Sequence, residues 1–244
     1  MALATLRTVV DDVTSTVDYL RVDVDAPGSQ WLECRPLVTD PAALAAVVAT
    51  TKATQGTDRD DVAMSLFVQG YVFRAATVSI GAWLLDEVVV GGAPDGWSMA
   101  LGRGGPNAVR LAADVPVFAA RGVGDVHDAL ITGHLAALVD TAHRACRVGR
   151  ALLWGNVAAS CASAFAAFAG ARAGVVDRAG EFFATARPEI RLAGRLTRVG
   201  ERFAWQRGSC CLWYRTAGGF LCEDCSLRRV GATPIRSHPE DTDA

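Results

Sequence analysis

The stretch SCCLWYRTAGGFLCEDCSL, residues 209–227, places four of the chain's seven cysteines within sixteen residues. These cysteines are Cys210, Cys211, Cys222 and Cys225, and no histidine lies between them. Thiolates at this density are the ligands of soft or borderline metals, above all of iron-sulfur clusters. The stretch therefore predicts a protein that handles single electrons.

The ten residues between the two cysteine pairs have the pattern of a β-hairpin, because short aromatic and aliphatic runs flank a turn that contains two glycines. If Arg215 and Phe220 close that turn, Cys210 lies opposite Cys225, with cross-strand side chains roughly 5 Å apart. Two cysteines from each end of the hairpin would then surround one small inorganic core.

Three interpretations of the four thiolates compete. A structural zinc ribbon normally has Cys-x2-Cys at both ends, and here only Cys222 and Cys225 have that spacing. Neighbouring cysteines in an extended segment point to opposite sides, which suits a rhombic two-iron core better than one tetrahedral ion. Disulfides are the third interpretation, but a reducing compartment disfavours them. A 2Fe-2S cluster is the favoured interpretation.

The motif Cys-Cys-x10-Cys-x2-Cys, together with the segment RALLWGNVAAS at residues 150–160, resembles the ferric siderophore reductases typified by FhuF. The resemblance covers the C-terminal hundred residues, and the N-terminal half only in length and general character. It implies a cytoplasmic one-electron reductase that converts siderophore-bound Fe(III) to Fe(II). It also implies that Cys210, Cys211, Cys222 and Cys225 bind the 2Fe-2S cluster, with no catalytic residue beyond it.

The electron source is predicted to be another protein. Gly122 and Gly124 begin a dinucleotide-binding pattern, but His127 occupies the third glycine position. A ferredoxin-like or flavodoxin-like donor is therefore expected. A formal net charge of -2 argues against a nucleic-acid binder. Two other functions remain: a zinc-stabilised siderophore-binding or assembly protein without redox activity, and a 2Fe-2S electron carrier.

Substrate contacts are predicted among the arginines near the cysteines. Between residues 187 and 229 there are nine arginines and four acidic residues. Those that flank the ligands, Arg215, Arg228 and Arg229, are candidates for binding an anionic ferric siderophore or an acidic donor, and Trp213 is a candidate for stacking. The arginines from 187 to 202 are interpreted as a solvated helix face. Glu223 and Asp224 are expected to make the cluster a stronger reductant.

The predicted fold class is α+β, largely helical, with a small antiparallel sheet and a C-terminal cluster-binding hairpin. Helices are expected at about 6–20, 40–51 and 57–85, followed by strands and turns. The predicted divisions are an N-terminal helical and small-sheet region at 1–124, a helical region at 125–206, the cluster-binding segment at 207–230 and a flexible tail at 231–244. Cys34, Cys146 and Cys161 are expected to be small buried hydrophobes.

One segment has the length of a membrane span. The twenty-one residues from Ala151 to Ala171 carry no charge, close to the roughly 20 that a transmembrane helix needs. Its alanines and polar residues favour a buried core helix instead. The N-terminus carries acidic residues where a signal peptide would be apolar. A cytoplasmic protein without a transmembrane segment is expected, and loose attachment to the inner membrane face remains an alternative.

Overall fold

The computed structural model describes residues 4–102 and 104–228. Its α-helices are α1 Leu6–Thr16, α2 Cys34–Thr39, α3 Pro41–Gln55, α4 Asp60–Asp86, α5 Val123–Val126, α6 Ala136–Cys146, α7 Arg150–Ala167, α8 Val175–Thr185 and α9 Pro188–Arg191, and a π-helical segment, His127–Leu135, joins α5 to α6. Its strands are β1 Arg21–Val24, β2 Trp31–Glu33, β3 Val88–Val90, β4 Trp97–Gly102, β5 Gly105–Leu111, β6 Val117–Ala119, β7 Gly194–Val199 and β8 Arg202–Arg207. The predicted α+β, largely helical class is confirmed.

Helix α4 is the central element of the core. It begins with Asp60 and Asp61, whose charges are favourable at a helix N-terminus, and ends where Glu87 takes a left-handed conformation with φ of 58°. The sequence prediction of a long helix up to about residue 85 is confirmed. Among the described residues it is the one helix long and apolar enough to cross a membrane, and 72% of its apolar window is buried inside the protein. Its apolar composition is therefore accounted for by the core.

Helix α7 packs along α4 and is also buried. Small residues such as Gly155, Ala158 and Ala162 lie on its buried surface, and small side chains allow two helix backbones to approach closely. Phe165 and Phe168 complete the contact at its C-terminal end. The uncharged stretch that could have been a membrane span is thus a core helix, as the sequence indicated.

The principal sheet has four strands in the order β1-β5-β4-β2. The pairs β4–β5 and β2–β4 are antiparallel, as predicted, whereas β1 pairs with β5 in parallel. A second, two-stranded antiparallel sheet joins β3 to β6. Helix α3 contacts both α4 and β5, and the turn after it reaches the cysteine-rich segment.

The third sheet corrects one expectation. The arginines from 187 to 202 were predicted to line a solvated helix face, but only Arg187 and Arg191 lie at helix α9. The other three, Arg195, Arg198 and Arg202, lie on the exposed surface of an antiparallel hairpin formed by β7 and β8. Gly200 closes its turn with φ of 62°, a left-handed conformation that glycine adopts without strain. Trp205 packs on Phe183 of α8, with ring centroids 4.6 Å apart. This hairpin leads the chain directly to Arg207 and the cysteines.

Candidate metal centre

The cysteine-rich segment follows β8 as a loop without strands across residues 208–228. Its one helical element is a short 3-10 turn at Trp213–Arg215, which follows Leu212 in a left-handed conformation with φ of 69°. In the predicted hairpin, strand pairing would bring the two cysteine pairs together. The structure brings them together through turns instead.

The four sulfurs form two pairs. The Sγ atoms of Cys211 and Cys222 are 3.2 Å apart, and the Cys210 side chain lies within hydrogen-bonding reach of Cys225. Each pair takes one cysteine from each end of the motif, and the expected juxtaposition of Cys210 with Cys225 is observed. Cys211 and Cys225 are each only 1% exposed. In the described ranges, no group of three or more His, Cys, Asp or Glu side chains is arranged around a single metal-ion position.

Backbone amides point at the sulfurs. The Leu212 N–H donates to Cys210 Sγ over 3.3 Å, and the Leu227 N–H donates to Cys225 Sγ over 3.5 Å. The Trp213 N–H donates to Cys211. Hydrogen bonds of this kind stabilise negative charge on sulfur and are among the features that set the potential of iron-sulfur sites.

The pair of Cys211 and Cys222 is arranged to hold one thiolate. The hydrogen bond from Cys222 lowers the pKa of Cys211 to about 6, with further help from the Trp213 N–H and the charge of Arg207. The same shared hydrogen bond raises the pKa of Cys222, because its proton is held between the two sulfurs. Burial raises the pKa of Cys210. A thiolate is the form that binds metals, and the contacts around Cys211 favour that form.

A buried arginine lies beneath the cysteine loop. The Arg207 side chain is 3% exposed, and its Nε donates to Asp224 Oδ2 over 2.7 Å. Its Nη1 donates to Asn156 Oδ1 over 2.9 Å. The Arg207 charge acts on both Cys211 and Cys222. Asp224 is therefore paired with a buried cation, whereas Glu223 is exposed. The expectation that Glu223 and Asp224 make the cluster a stronger reductant stays a prediction.

Polar contacts fix the loop to the core helices. Ser65 Oγ on α4 donates to the Cys211 carbonyl oxygen over 2.7 Å. Asn156 Nδ2 on α7 donates to both the carbonyl oxygen and Oγ of Ser65, each over 2.9 Å. Farther along the loop, the Ala217 N–H donates to the Gly56 carbonyl oxygen over 2.8 Å. The cysteine loop is thus held by the turn after α3 and by both central helices.

Sequence reasoning did not find the roles of Ser65, Asn156 and Arg207. Asn156 lies in the segment 150–160 that carries the resemblance, so a signal for it was present. Ser65 is an ordinary serine in a long apolar helix. Arg207 was one of nine arginines, and nothing in its local sequence marked it as buried.

The predicted substrate-binding residues lie at the outer rim of the loop. Trp213 is 37% exposed and packs against Phe220, with ring centroids 4.4 Å apart and the ring planes tilted by 47°. Arg215 Nε donates to the Tyr214 hydroxyl over 2.9 Å. Arg228 lies after the last cysteine, and its Nη2 donates to the Leu221 carbonyl oxygen over 2.8 Å. Arg229 falls outside the described residues.

Residues 207–227 match the family model of the FhuF 2Fe-2S C-terminal domain. We call this segment the FhuF-type domain, after the family model that it matches. The resemblance that the cysteine motif indicated is therefore confirmed, and so is the 2Fe-2S cofactor. No curated protein matches the chain.

The residues of the FhuF-type domain fit that cofactor. A 2Fe-2S cluster needs four thiolates, and Cys210, Cys211, Cys222 and Cys225 supply four sulfurs in two pairs. The surrounding N–H donors and the Arg207 guanidinium offset the negative charge that such a cluster carries.

The remaining cysteines lie outside the FhuF-type domain. Cys34 and Cys161 are fully buried, and burial raises the pKa of each to about 12. Cys146 is partly buried, and burial raises its pKa as well. Cys34 and Cys161 are small buried hydrophobes as predicted, and Cys146 is so only in part. Their high pKa values make them poor ligands for a metal.

Proposed function

We propose that the protein is a cytoplasmic ferric siderophore reductase in which Cys210, Cys211, Cys222 and Cys225 bind the 2Fe-2S cluster. The observation that carries the proposal is the pairing of the four sulfurs across the loop, within a segment that matches the FhuF 2Fe-2S domain. When bound, the cluster supplies one-electron transfer.

Reduction explains release of the iron. Siderophore oxygens hold the hard, highly charged Fe(III) tightly, and the softer Fe(II) weakly. The protein therefore has to bring the chelate close to the cysteine loop and to keep the loop rigid. Ser65 and Asn156 supply that rigidity, since they tie the backbone of Cys211 to α4 and α7.

The electron donor is a second part of the proposal. A ferredoxin-like or flavodoxin-like protein would dock on the exposed apolar rim of the loop, where Trp213, Tyr214, Phe220 and Leu227 are each more than a third exposed. Apolar side chains close to a redox centre suit brief association with a carrier. Arg215, Arg228 and Arg229 would provide positive charge at this rim for an anionic partner, whether donor or substrate.

The direct test is reoxidation. The protein is reconstituted, reduced with dithionite, freed of excess reductant and mixed anaerobically with a ferric siderophore and a ferrous chelator. We expect the visible spectrum of the oxidised cluster to return while one ferrous ion is trapped for each electron lost. NADH or NADPH alone should leave the oxidised protein unchanged, because the sequence has no dinucleotide-binding motif.

Two results would contradict the proposal. A colourless protein with stoichiometric zinc would point to the siderophore-binding or assembly alternative. The second result is a cluster-containing protein that exchanges electrons with small carriers but not with any ferric siderophore. Such a protein would be an electron carrier, and the exposed apolar rim would also suit that function.

A further inference from the structure

A cleft opens beside the cysteine loop, between the first turns of α7, the end of α9 and residues 208–209. Its volume is about 510 Å³, within the roughly 300–1,000 Å³ typical of small-molecule sites. Ser209 lines it and is the residue directly before Cys210. A molecule in this cleft would therefore lie one residue from a proposed cluster ligand.

One wall of the cleft is an arginine stacked on a tryptophan. The Arg187 guanidinium carbon lies 4.4 Å from the centroid of the Trp154 ring. Across the cleft is Leu192, whose side chain is 83% exposed and is the most exposed large apolar side chain in the described part of the protein. Ala136, Ala151 and Ala193 add further apolar surface. These walls suit a ligand with an apolar outer surface.

The charges that line the cleft cancel. Arg187 pairs with Glu189 through two hydrogen bonds of 3.0 and 2.9 Å, and Arg150 pairs with Asp140. Two positive and two negative side chains therefore leave no net charge among the lining residues. A site of this kind offers little attraction to a highly charged anion, because each arginine already has a carboxylate.

One buried polar atom beside the cleft lacks a partner among the described residues. Ser209 Oγ is buried and makes no hydrogen bond to any described residue. The Ser209 hydroxyl packs against α7 at Gly155, which has no side chain. A Cβ atom at Gly155 would collide with that hydroxyl. A buried hydroxyl without a partner is uncommon, and it lies at the boundary between the cleft and α7.

We propose that this cleft binds the oxidant of the cluster as a metal chelate of low net charge with an apolar outer surface. The inference rests on the proposed function and adds to it the place and charge class of the substrate. It leaves the exposed rim at Trp213 to the electron donor, so that the two partners approach different sides of the loop.

The test uses a redox-inert probe, so that binding is measured apart from reduction. Gallium(III) tris(acetohydroxamate) is neutral and gallium(III) tris(catecholate) carries three negative charges. Calorimetry should show that the reconstituted protein binds the neutral complex at least tenfold more tightly than the trianionic one. Ala151→Trp places a bulky side chain in the cleft from an exposed helical position, and we expect it to weaken binding of the neutral complex at least tenfold.

The matched control is Ala166→Trp, which makes the same change at an exposed position of the same helix outside the cleft. It should bind within twofold of the original protein, and both variants should keep the cluster spectrum. Equal affinity in A151W and A166W would overturn the proposal, as would failure of the neutral complex to bind.

Stopped-flow reoxidation by iron(III) tris(acetohydroxamate) separates this proposal from the proposed function. If the reduced original protein is reoxidised and A151W is slower by tenfold or more, both stand. Equal rates for A151W and the original protein would refute the cleft but leave the reductase function intact. If no ferric chelate reoxidises the original protein, the reductase function itself fails.

Discussion

Replacing Arg207 should change the reduction potential of the cluster more than any other single change away from the cysteines. Arg207→Gln removes a buried positive charge that acts on Cys211 and Cys222. Reduction adds one negative charge to the cluster, so loss of a nearby cation disfavours the reduced state. For charges about 8 Å apart at an effective dielectric constant of about 20, the Coulomb energy is about 2 kcal/mol. For one electron this corresponds to a potential lower by roughly 90 mV.

The same substitution should also destabilise the loop. It removes the hydrogen bonds from Nε to Asp224 over 2.7 Å and from Nη1 to Asn156 over 2.9 Å. Removing one partner of a buried ion pair typically costs about 3–5 kcal/mol. The Asp224 side chain is still 26% exposed, so solvent partly compensates for the missing ion pair. We therefore expect a loss of stability at the low end of that range. Cluster loss in urea, followed by visible absorption, should occur at a lower urea concentration.

Two matched variants separate charge from geometry. Arg207→Lys keeps the charge but cannot donate to both acceptors in the same fork, so it should destabilise the loop while leaving the potential nearly unchanged. Asp224→Asn should raise the potential, because Arg207 then acts without its counter-charge. Anaerobic redox titration followed by visible and electron paramagnetic resonance spectra measures all three. A potential that is unchanged or higher in a cluster-loaded R207Q would refute the electrostatic reasoning.

Two further predictions concern the cysteines and the core. Serine at Cys210, Cys211, Cys222 or Cys225 should abolish or strongly weaken cluster retention, whereas serine at Cys161, which is buried outside the domain, should leave the visible spectrum of the folded protein intact; the opposite result would mean that the ligands are assigned wrongly. Burial lowers the pKa of His134 from 6.5 to about 4. As the pH falls, His134 is therefore protonated in the unfolded state before it is protonated in the folded state. The free energy of unfolding should drop by about 2 kcal/mol from pH 7 to pH 5 for this reason. Urea unfolding of the protein at both pH values measures that loss, and a folded His134→Gln variant with the same pH dependence would assign the loss to other groups.

The sequence was sufficient to predict the cysteine site because its ligands lie close together in the chain. Sixteen residues contain all four cysteines, so their meeting needs only a local turn. The predicted juxtaposition of Cys210 and Cys225 was right although the strands were not. Leu212 adopts a left-handed conformation, and a leucine gives no sign of that conformation in a sequence. Local hydrogen bonds at the sulfurs replace the expected strand pairing.

The long core helices could also be predicted, since their apolar residues and boundaries are local signals. The hairpin of β7 and β8 was missed because its arginines from Arg195 to Arg202 recur every three or four residues, which is the spacing of a solvated helix face. Burial of Trp205 against Phe183 favours the strands, and that contact joins residues 22 positions apart. The polar contact between Ser65 and Cys211 spans 146 residues, a separation at which one sequence without relatives carries no pairing signal.

The two sides of the cysteine loop perform different tasks, and their residue types reflect this. The inner side meets Arg207, Asn156 and Ser65, which are buried and hydrogen-bonded to one another. Rigid buried dipoles and charges set a potential without any movement of the protein. The outer side presents Trp213 and other exposed apolar groups, which suit brief contact with a partner. Because Arg207 cancels the charge of Asp224 on the inner side, an exposed carboxylate such as Glu223 has only a weak, solvent-screened effect on the cluster. We therefore expect the buried Arg207 to influence the reduction potential of the cluster more strongly than the exposed Glu223 does.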